Sequence, residues 1–280
     1  MDKKYFIADC LKNGTEIKVV ARTEISESEY KNMKAWFDFA YFYHVCKSVT
    51  VMAMESGSDF LSFSKQIKDS KKSYDDSELD ALLTTGNKFL INYLSFIKMF
   101  IDVISNSISK KDTMKLAEFQ ELNRKMYNHF WGYRFLTRLR NYVIHYDIPL
   151  SSVSGHATDG IELLCVRNNL LNYGGWSTLK AEIRKLSATF SVQSYIEDSM
   201  VALDTLYLKA LETVVDDVVA ANEKITGFCK KHEISSPVIL VIDSIKEKKT
   251  HIEKFPLNDM NGYFRDLSRH PSYNIQLDEK

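Results

Sequence analysis

Charge of one sign is what this sequence most lacks: 37 lysines and arginines meet 37 aspartates and glutamates. The chain-wide pull toward nucleic acid that marks a strongly basic domain is therefore absent. A polyanionic ligand would have to be met by a local cluster of cations, or be delivered by a partner. Cysteine is scarce as well. Cys10, Cys46, Cys165 and Cys229 lie far apart and form no CxxC pair, which points to reduced thiols and away from zinc or a disulfide framework. No uncharged apolar run reaches membrane-spanning length, and the opening MDKKYFIAD holds too short an apolar run for a secretory signal. A cytoplasmic protein with no membrane partner is the expectation. The glycines of Asn172–Trp176 belong to no phosphate-binding fingerprint. The acidic pair Asp216 and Asp217 has no identifiable companions for a metal and reads as surface. No metal or cofactor is expected.

What is present is a globular composition, 45% hydrophobic and 12% aromatic, in a chain long enough for a large core, as one domain or one domain with an appendage. Short apolar runs at 4–9 and 15–22 flank Asn13 and Gly14, a hairpin signal. Ser26 and Glu29 fit a capping box, with Ile25 and Tyr30 placed for a hydrophobic staple. The helix that follows is expected to run to about Gly57. Its rings, Trp36, Phe37, Phe39, Tyr41, Phe42 and Tyr43, occur on nearly every face, which favours core packing over base stacking, and His44 reads as a core or boundary residue.

Residues 65–78 look like a connector. From about Asp76 to Ile108 two apolar stripes share one helix, Leu79 through Ile104 and Phe89 through Val103, leaving a narrow polar strip of Lys88, Asn92, Ser95 and Asp102. Such a helix is central to a bundle or buried against a second subunit. The strip is either a solvent seam or a second shell behind a functional side chain. A further helix is expected over about 113–147, with Asp112 or Thr113 as its cap and an interruption near Gly132. Beyond it come a loop at 151–160, a strand at 161–166, helices at 177–187 and 192–233, and a buried strand at 237–243 able to join the hairpin in a small sheet. The charge run Lys246 to Lys254 reads as solvated, and residues 255–280 are weakly patterned. The fold class expected is mainly α, a multi-helix bundle with a small accessory sheet. Its segments are a hairpin at 1–25, a helical domain at 26–235, and a strand and arm at 236–280 packing on the hairpin.

The chemistry gathers at the end of the 113–147 helix, in Arg138, Arg140, Asn141 and His145, followed by Tyr146 and Pro149. Arginine offers phosphate a rigid fork of donors, and histidine exchanges a proton near neutral pH. The spacing Arg-x4-His by itself is weak, for it also occurs at Arg124/His129 and Arg265/His270. Context separates them: one of those copies lies mid-helix among solvating residues and the other in the polar tail. Around the axis of a regular helix, Arg134, Arg138, Asn141 and His145 fall within about 40° of one line, whereas Arg140 lies about 140° from His145. Either the last turn unwinds or two copies of the motif complement each other across a dimer. Arg138 and Arg140 are both candidates for the phosphate contact.

The sequence from Arg140 and Asn141 through His145 to Ile148, Pro149 and Leu150 resembles the signature of the HEPN superfamily. The segment Asn87 to Asp102 is similar to the helix that packs against the signature helix in several bacterial members, so that residues 77–150 carry the likeness. The resemblance implies a HEPN-like helical bundle that dimerises with two Arg/His motifs meeting across the interface. It also implies a metal-independent ribonuclease of toxin or phage-defence systems, partnered by an antitoxin protein or a regulatory RNA. In these terms His145, Arg140 and Asn141 are catalytic, Arg138 and Arg134 bind phosphate or RNA, and Asn92, Asp102 and Tyr146 form a second shell. One toxin subgroup carries a modified tyrosine two residues after the histidine; here that position is Asp147, so that modification is not expected. Two other readings stand beside the nuclease: a non-catalytic interaction and dimerisation module, and a nucleotide- or RNA-binding sensor.

The double stripe of the 76–108 helix generates a direct test, because an exposed apolar face of that size favours association. Sedimentation at micromolar concentration is expected to show a homodimer; a species of 32.4 kDa alone would count against it.

Overall fold

The computed structural model describes residues 3–70, 72–156, 160–244, 249–255 and 257–276. The fold is mainly α with two small antiparallel sheets. By contact density the chain divides into two compact units, one of residues 1–44 and 211–280, the other of residues 45–210. The helical stretch expected over 26–235 is therefore shared between them.

The first unit is built on a sheet. Strands β1 (Lys4–Asn13) and β2 (Glu16–Ile25) form the N-terminal hairpin. The turn residues are Gly14 and Thr15, one position later than the Asn13–Gly14 pairing suggests. Gly14 takes the positive φ of 61°, a conformation glycine reaches without steric cost. Late in the chain come β6 (Pro237–Ser244) and β7 (Lys249–Lys254), and the strand order is β2-β1-β6-β7. The expected pairing of the hairpin with the 237–243 strand is present: Tyr5 lies opposite Val241 and Ile7 opposite Ile239, all four buried. The charge run is solvated where it is described, with Thr250, His251, Ile252 and Lys254 exposed, and Lys249–Lys254 at the same time pairs with β6 as β7. Residues 245–248 and 277–280 lie outside the described residues.

Helix α1 (Glu27–Ala35) starts at the anticipated Ser26/Glu29 capping box. Tyr30 on its first turn stacks on Tyr5 with ring centroids 4.3 Å apart and donates its hydroxyl to Glu253 at 2.8 Å. Lys34 meets the same carboxylate at 3.1 Å. This helix stops at Ala35, and α2 (Asp38–Asp69) begins after a tight turn at Trp36 and Phe37.

Helix α2 runs on through the second unit, twelve residues beyond the expected stop at Gly57. A Cβ at Gly57 would lie 2.9 Å from the Tyr93 ring and 3.0 Å from Met200 Sδ. This glycine permits a close approach between elements and does not end a helix. The 65–78 connector is accordingly mostly helical. Helix α3 (Asp76–Ser109) is the long helix expected, capped by Asp75 and Glu78. Its buried residues, Leu90, Tyr93, Leu94, Ile97, Phe100, Ile104 and Ile108, recur at helical spacing and make it the core element of the unit. The second stripe is only half-buried at Phe89, Phe96 and Val103. By length and composition α3 would pass as a membrane span, and 33% of that stretch is buried.

Next come α4 (Thr113–His129), α5 (Trp131–His145), β3 (Leu150–His156) and β4 (Gly160–Val166), then α6 (Arg167–Leu171), α7 (Leu179–Ile183) and β5 (Thr189–Phe190). The expected loop at 151–160 is thus largely strand β3, in a sheet of order β3-β4-β5. The expected 192–233 helix is two, α8 (Gln193–Glu212) and α9 (Val215–His232), broken at Thr213–Val214. The weakly patterned arm carries α10 (Leu257–Leu267), whose buried Tyr263 donates its hydroxyl to the Leu211 carbonyl at 2.8 Å.

In the first unit Glu253 ties β7 to α1. Burial pushes its carboxyl up, but the Tyr30 hydroxyl and the Lys34 ammonium outweigh burial and hold it below the ordinary carboxylate range. Its stabilisation is therefore present above the unfolded value, about 4.3 for a glutamate, and is lost as pH falls through the lower folded value. Glu253→Gln is expected to cost about 1 kcal/mol at pH 7 in urea denaturation, a difference that shrinks as pH falls below about 4.3 and through the lower folded value. A pH-independent difference would contradict the tie.

Candidate functional site

The site is organised by the break between α4 and α5. Phe130 has extended backbone (φ −93°, ψ 108°) and serves as both the end of one helix and the start of the next. Two residues on, a Cβ at Gly132 would sit 2.5 Å from the Tyr195 Cα and 2.6 Å from its carbonyl oxygen. Only glycine lets the first turn of α5 lie this close to α8, and that contact sets where the rest of α5 points. The buried face of α5, Tyr133, Phe135, Leu136, Leu139 and Tyr142, holds it in the core.

The helix stays regular through His145. Tyr146 (φ −140°, ψ −70°) leaves it, with its N–H still donating to the Tyr142 carbonyl at 2.8 Å. The last turn does not unwind, so within one chain Arg140 and His145 remain about 140° apart around the axis. The chain after the helix is then fastened by Asn87 of α3. This residue is 4% exposed and clasps Leu150 by both of its polar main-chain groups. Its amide nitrogen donates to the Leu150 carbonyl at 2.8 Å, and its amide oxygen accepts from the Leu150 N–H at 3.0 Å.

A cavity of about 300 Å³ opens between α3, α4 and α5. Leu94, Ile97 and Ile101 supply an apolar floor, while Lys98, Arg138, Arg140, Asn123 and Asn141 are its charged and amide groups. No carboxylate is among the described residues that line it. Arg138 donates through Nε to the Tyr127 hydroxyl at 3.0 Å, and the Tyr133 hydroxyl donates to Asn123 Oδ1 at 2.8 Å. Arg140 has a buried Nε without a hydrogen-bond partner among the described residues. A buried donor left in this way costs about 1–3 kcal/mol.

The remaining candidates are placed as follows. Arg134 is engaged: it pairs with Glu182 at 2.7 Å and lies over the Trp131 ring at 5.2 Å, although its Nε too is buried without a partner. His145 is exposed and does not line the cavity. Asn92 and Asp102 are on the exposed face of α3, with Asp102 paired to Lys98 one turn away. Tyr146 is exposed and packs on Tyr142, ring centroids 5.4 Å apart. Of the other two Arg/His copies, Arg124 is held by Glu121 at 2.7 Å and His129 packs edge-on against Phe130, while His270 lies 4.0 Å from Glu212.

The sequence reading missed Lys98, Asn123, Tyr127 and Thr137 as cavity residues. The signal for Thr137 was available, for Tyr133, Thr137 and Asn141 repeat every four residues along one face. Asn123 and Tyr127 sit on a separate helix and carry no such signal. Beside the motif lies a cluster of rings: Phe135 and Tyr142 each stack on the buried Trp176, at 5.8 and 5.9 Å. Burial, with help from nearby Asp147 and Tyr146, pushes the Tyr142 hydroxyl up to about 12. It is therefore a neutral group that neither charges nor serves as a base near pH 7. Among the described residues no three His, Cys, Asp or Glu side chains gather as a metal site.

Compared with protein-family models, with curated proteins and with solved structures, the chain matches none.

Two substitutions on either side of α5 are expected to behave oppositely. Asn87→Leu strands the Leu150 N–H and carbonyl in the core, at about 1–3 kcal/mol for each group left unpaired. Tyr142→Phe removes a buried hydroxyl that has no partner among the described residues, and its expected cost is about zero or slightly negative. Urea denaturation at pH 7 measures both; equal losses would show that the Asn87 clasp is not what holds the chain after the helix.

Proposed function

We propose that this protein is a metal-independent endoribonuclease of the HEPN type, acting as a homodimer in toxin or phage defence. The observation that carries the reading is the cavity lined by Arg138, Arg140 and Asn141, which has no carboxylate among its described lining residues. The same helix ends four residues beyond Asn141 in an exposed His145. Phosphate suits such a group because charge-assisted bonds to guanidinium are the strong ones.

In the proposed reaction, His145 takes the proton of an RNA 2′-hydroxyl as that oxygen attacks the adjoining phosphorus. Arginine stabilises the charge that develops on the phosphorane oxygens. The bond from phosphorus to the 5′ oxygen breaks, and the imidazolium returns a proton to the leaving oxygen. The products are a 2′,3′-cyclic phosphate and a 5′-hydroxyl. Arg138 is near His145's side of the helix and Arg140 is not, so Arg140 of one protomer is expected to complement His145 of the other. A single chain then holds an incomplete site, which makes dimerisation part of the mechanism. An antitoxin protein or regulatory RNA would act by covering that shared cleft.

One observation favours a binding-only alternative, an RNA or nucleotide sensor: His145 does not line the cavity of its own chain. The two readings separate by experiment. His145→Ala is expected to lower RNA cleavage by about 10²–10⁴-fold with an unchanged melting temperature, since the side chain is exposed. Arg138→Ala and Arg140→Ala are each expected to weaken cleavage, and His129→Ala and His270→Ala to leave it near wild type. Activity should persist in EDTA. A mixture of His145→Ala and Arg140→Ala protomers should regain activity if the site is shared. Full cleavage by His145→Ala, or loss on chelation, would overturn the nuclease mechanism.

A further inference from the structure

Immediately after His145 the surface is aromatic. Tyr146 is 52% exposed, and its ring centroid lies 5.8 Å from that of half-buried Tyr173. Neither hydroxyl has a hydrogen-bond partner among the described residues. Both rings are held from below. Tyr146 packs on Tyr142, and Tyr173 meets Tyr142 and Trp176 edge-on at 5.7 and 5.8 Å. Tyr142 and Trp176 are fully buried. Gly175 leaves room for the Tyr173 ring, since a Cβ there would fall 2.3 Å from it.

We propose that Tyr146 and Tyr173 form a stacking ledge for an unpaired base of single-stranded RNA next to the phosphate handled by His145. This deepens the nuclease reading and rests on it for the location of that phosphate. Base stacking on aromatic side chains is tolerant of sequence because every base has a π face. A duplex already satisfies its bases by stacking and pairing, so the ledge selects single strands, loops or bulges. Charge complementarity points to the same occupant. The chain as a whole carries no net charge, yet the cavity to which the same helix contributes Arg138 and Arg140 has no carboxylate among its described lining residues, its third cation, Lys98 of α3, being paired with Asp102. Phosphates at the cations and a base on the rings use both surfaces at once.

The ledge is tested with oligonucleotides that cannot be cleaved. A single-stranded 2′-O-methyl octanucleotide, an abasic octanucleotide of the same charge, and a duplex of the first are titrated by fluorescence anisotropy into wild type, Tyr146→Leu, Tyr173→Leu and Tyr146→Phe. Stacked bases typically contribute about tenfold or more to affinity. Wild type is expected to bind the base-bearing single strand about tenfold tighter than the abasic strand or the duplex. Both leucine variants should lose that preference with unchanged melting temperatures, and Tyr146→Phe should keep it. Equal binding of abasic and base-bearing strands by wild type would overturn the ledge. So would leucine variants that bind as wild type does, or a leucine variant whose only change is weaker self-association. A ring-dependent preference without cleavage of ordinary RNA sinks the nuclease reading alone. Cleavage that is unchanged in both leucine variants sinks the ledge alone.

Discussion

The clasp between Asn87 and Leu150 is the constraint on which the second unit depends. A buried amide is costly unless its donors and acceptor are met, and here they are met by the main chain just past α5. The amide also donates back to the Leu83 carbonyl of its own helix at 3.0 Å. The effect is to tie α3 to the point where the chain turns from α5 into β3. The start of α5 is set at its other end by Gly132 against Tyr195. With both ends placed and one face buried, the polar face of α5 has little freedom, which is what a site built on one helix requires.

The electrostatics follow from that placement. A chain with equal numbers of acids and bases creates a local positive field only by sorting them in space. Glu121 occupies Arg124, Glu182 occupies Arg134 and Asp102 occupies Lys98, whereas Arg138 rests on a tyrosine hydroxyl and Arg140 meets nothing among the described residues. Neutralised arginines are part of the scaffold. Those facing neutral partners inside an apolar-floored cavity keep their field, because little water or countercharge screens them.

The aromatic residues divide in the same way. Phe135, Tyr142 and Trp176 are core, stacked and fully buried. Tyr146 continues the cluster outward at the helix end, where the backbone change at the C-cap turns it to the surface. Packing inside therefore prepares a surface outside. The second stripe on α3 stays half-buried at Phe89, Phe96 and Val103.

Local signals in the sequence determined the hairpin at Gly14, the capping box at Ser26, the long central helix, the interruption near Gly132 and the grouping of Arg138, Asn141 and His145 on one helix. Each depends on neighbours within a turn or two, where spacing and side-chain chemistry suffice. Gly57 misled because a glycine inside a helix and a glycine ending one look alike; only the Tyr93 ring beside it distinguishes them. The 151–160 stretch read as loop because its pairing partner, β4, supplies the hydrogen bonds that its own composition does not predict. Tertiary structure alone decided which arginines were neutralised, which residues of α3 and α4 joined the cavity, and that His145 is not among the residues lining it. Those outcomes depend on which residues distant in sequence come within a few ångströms, as Glu182 does for Arg134, and no periodicity along one segment encodes the partner on another.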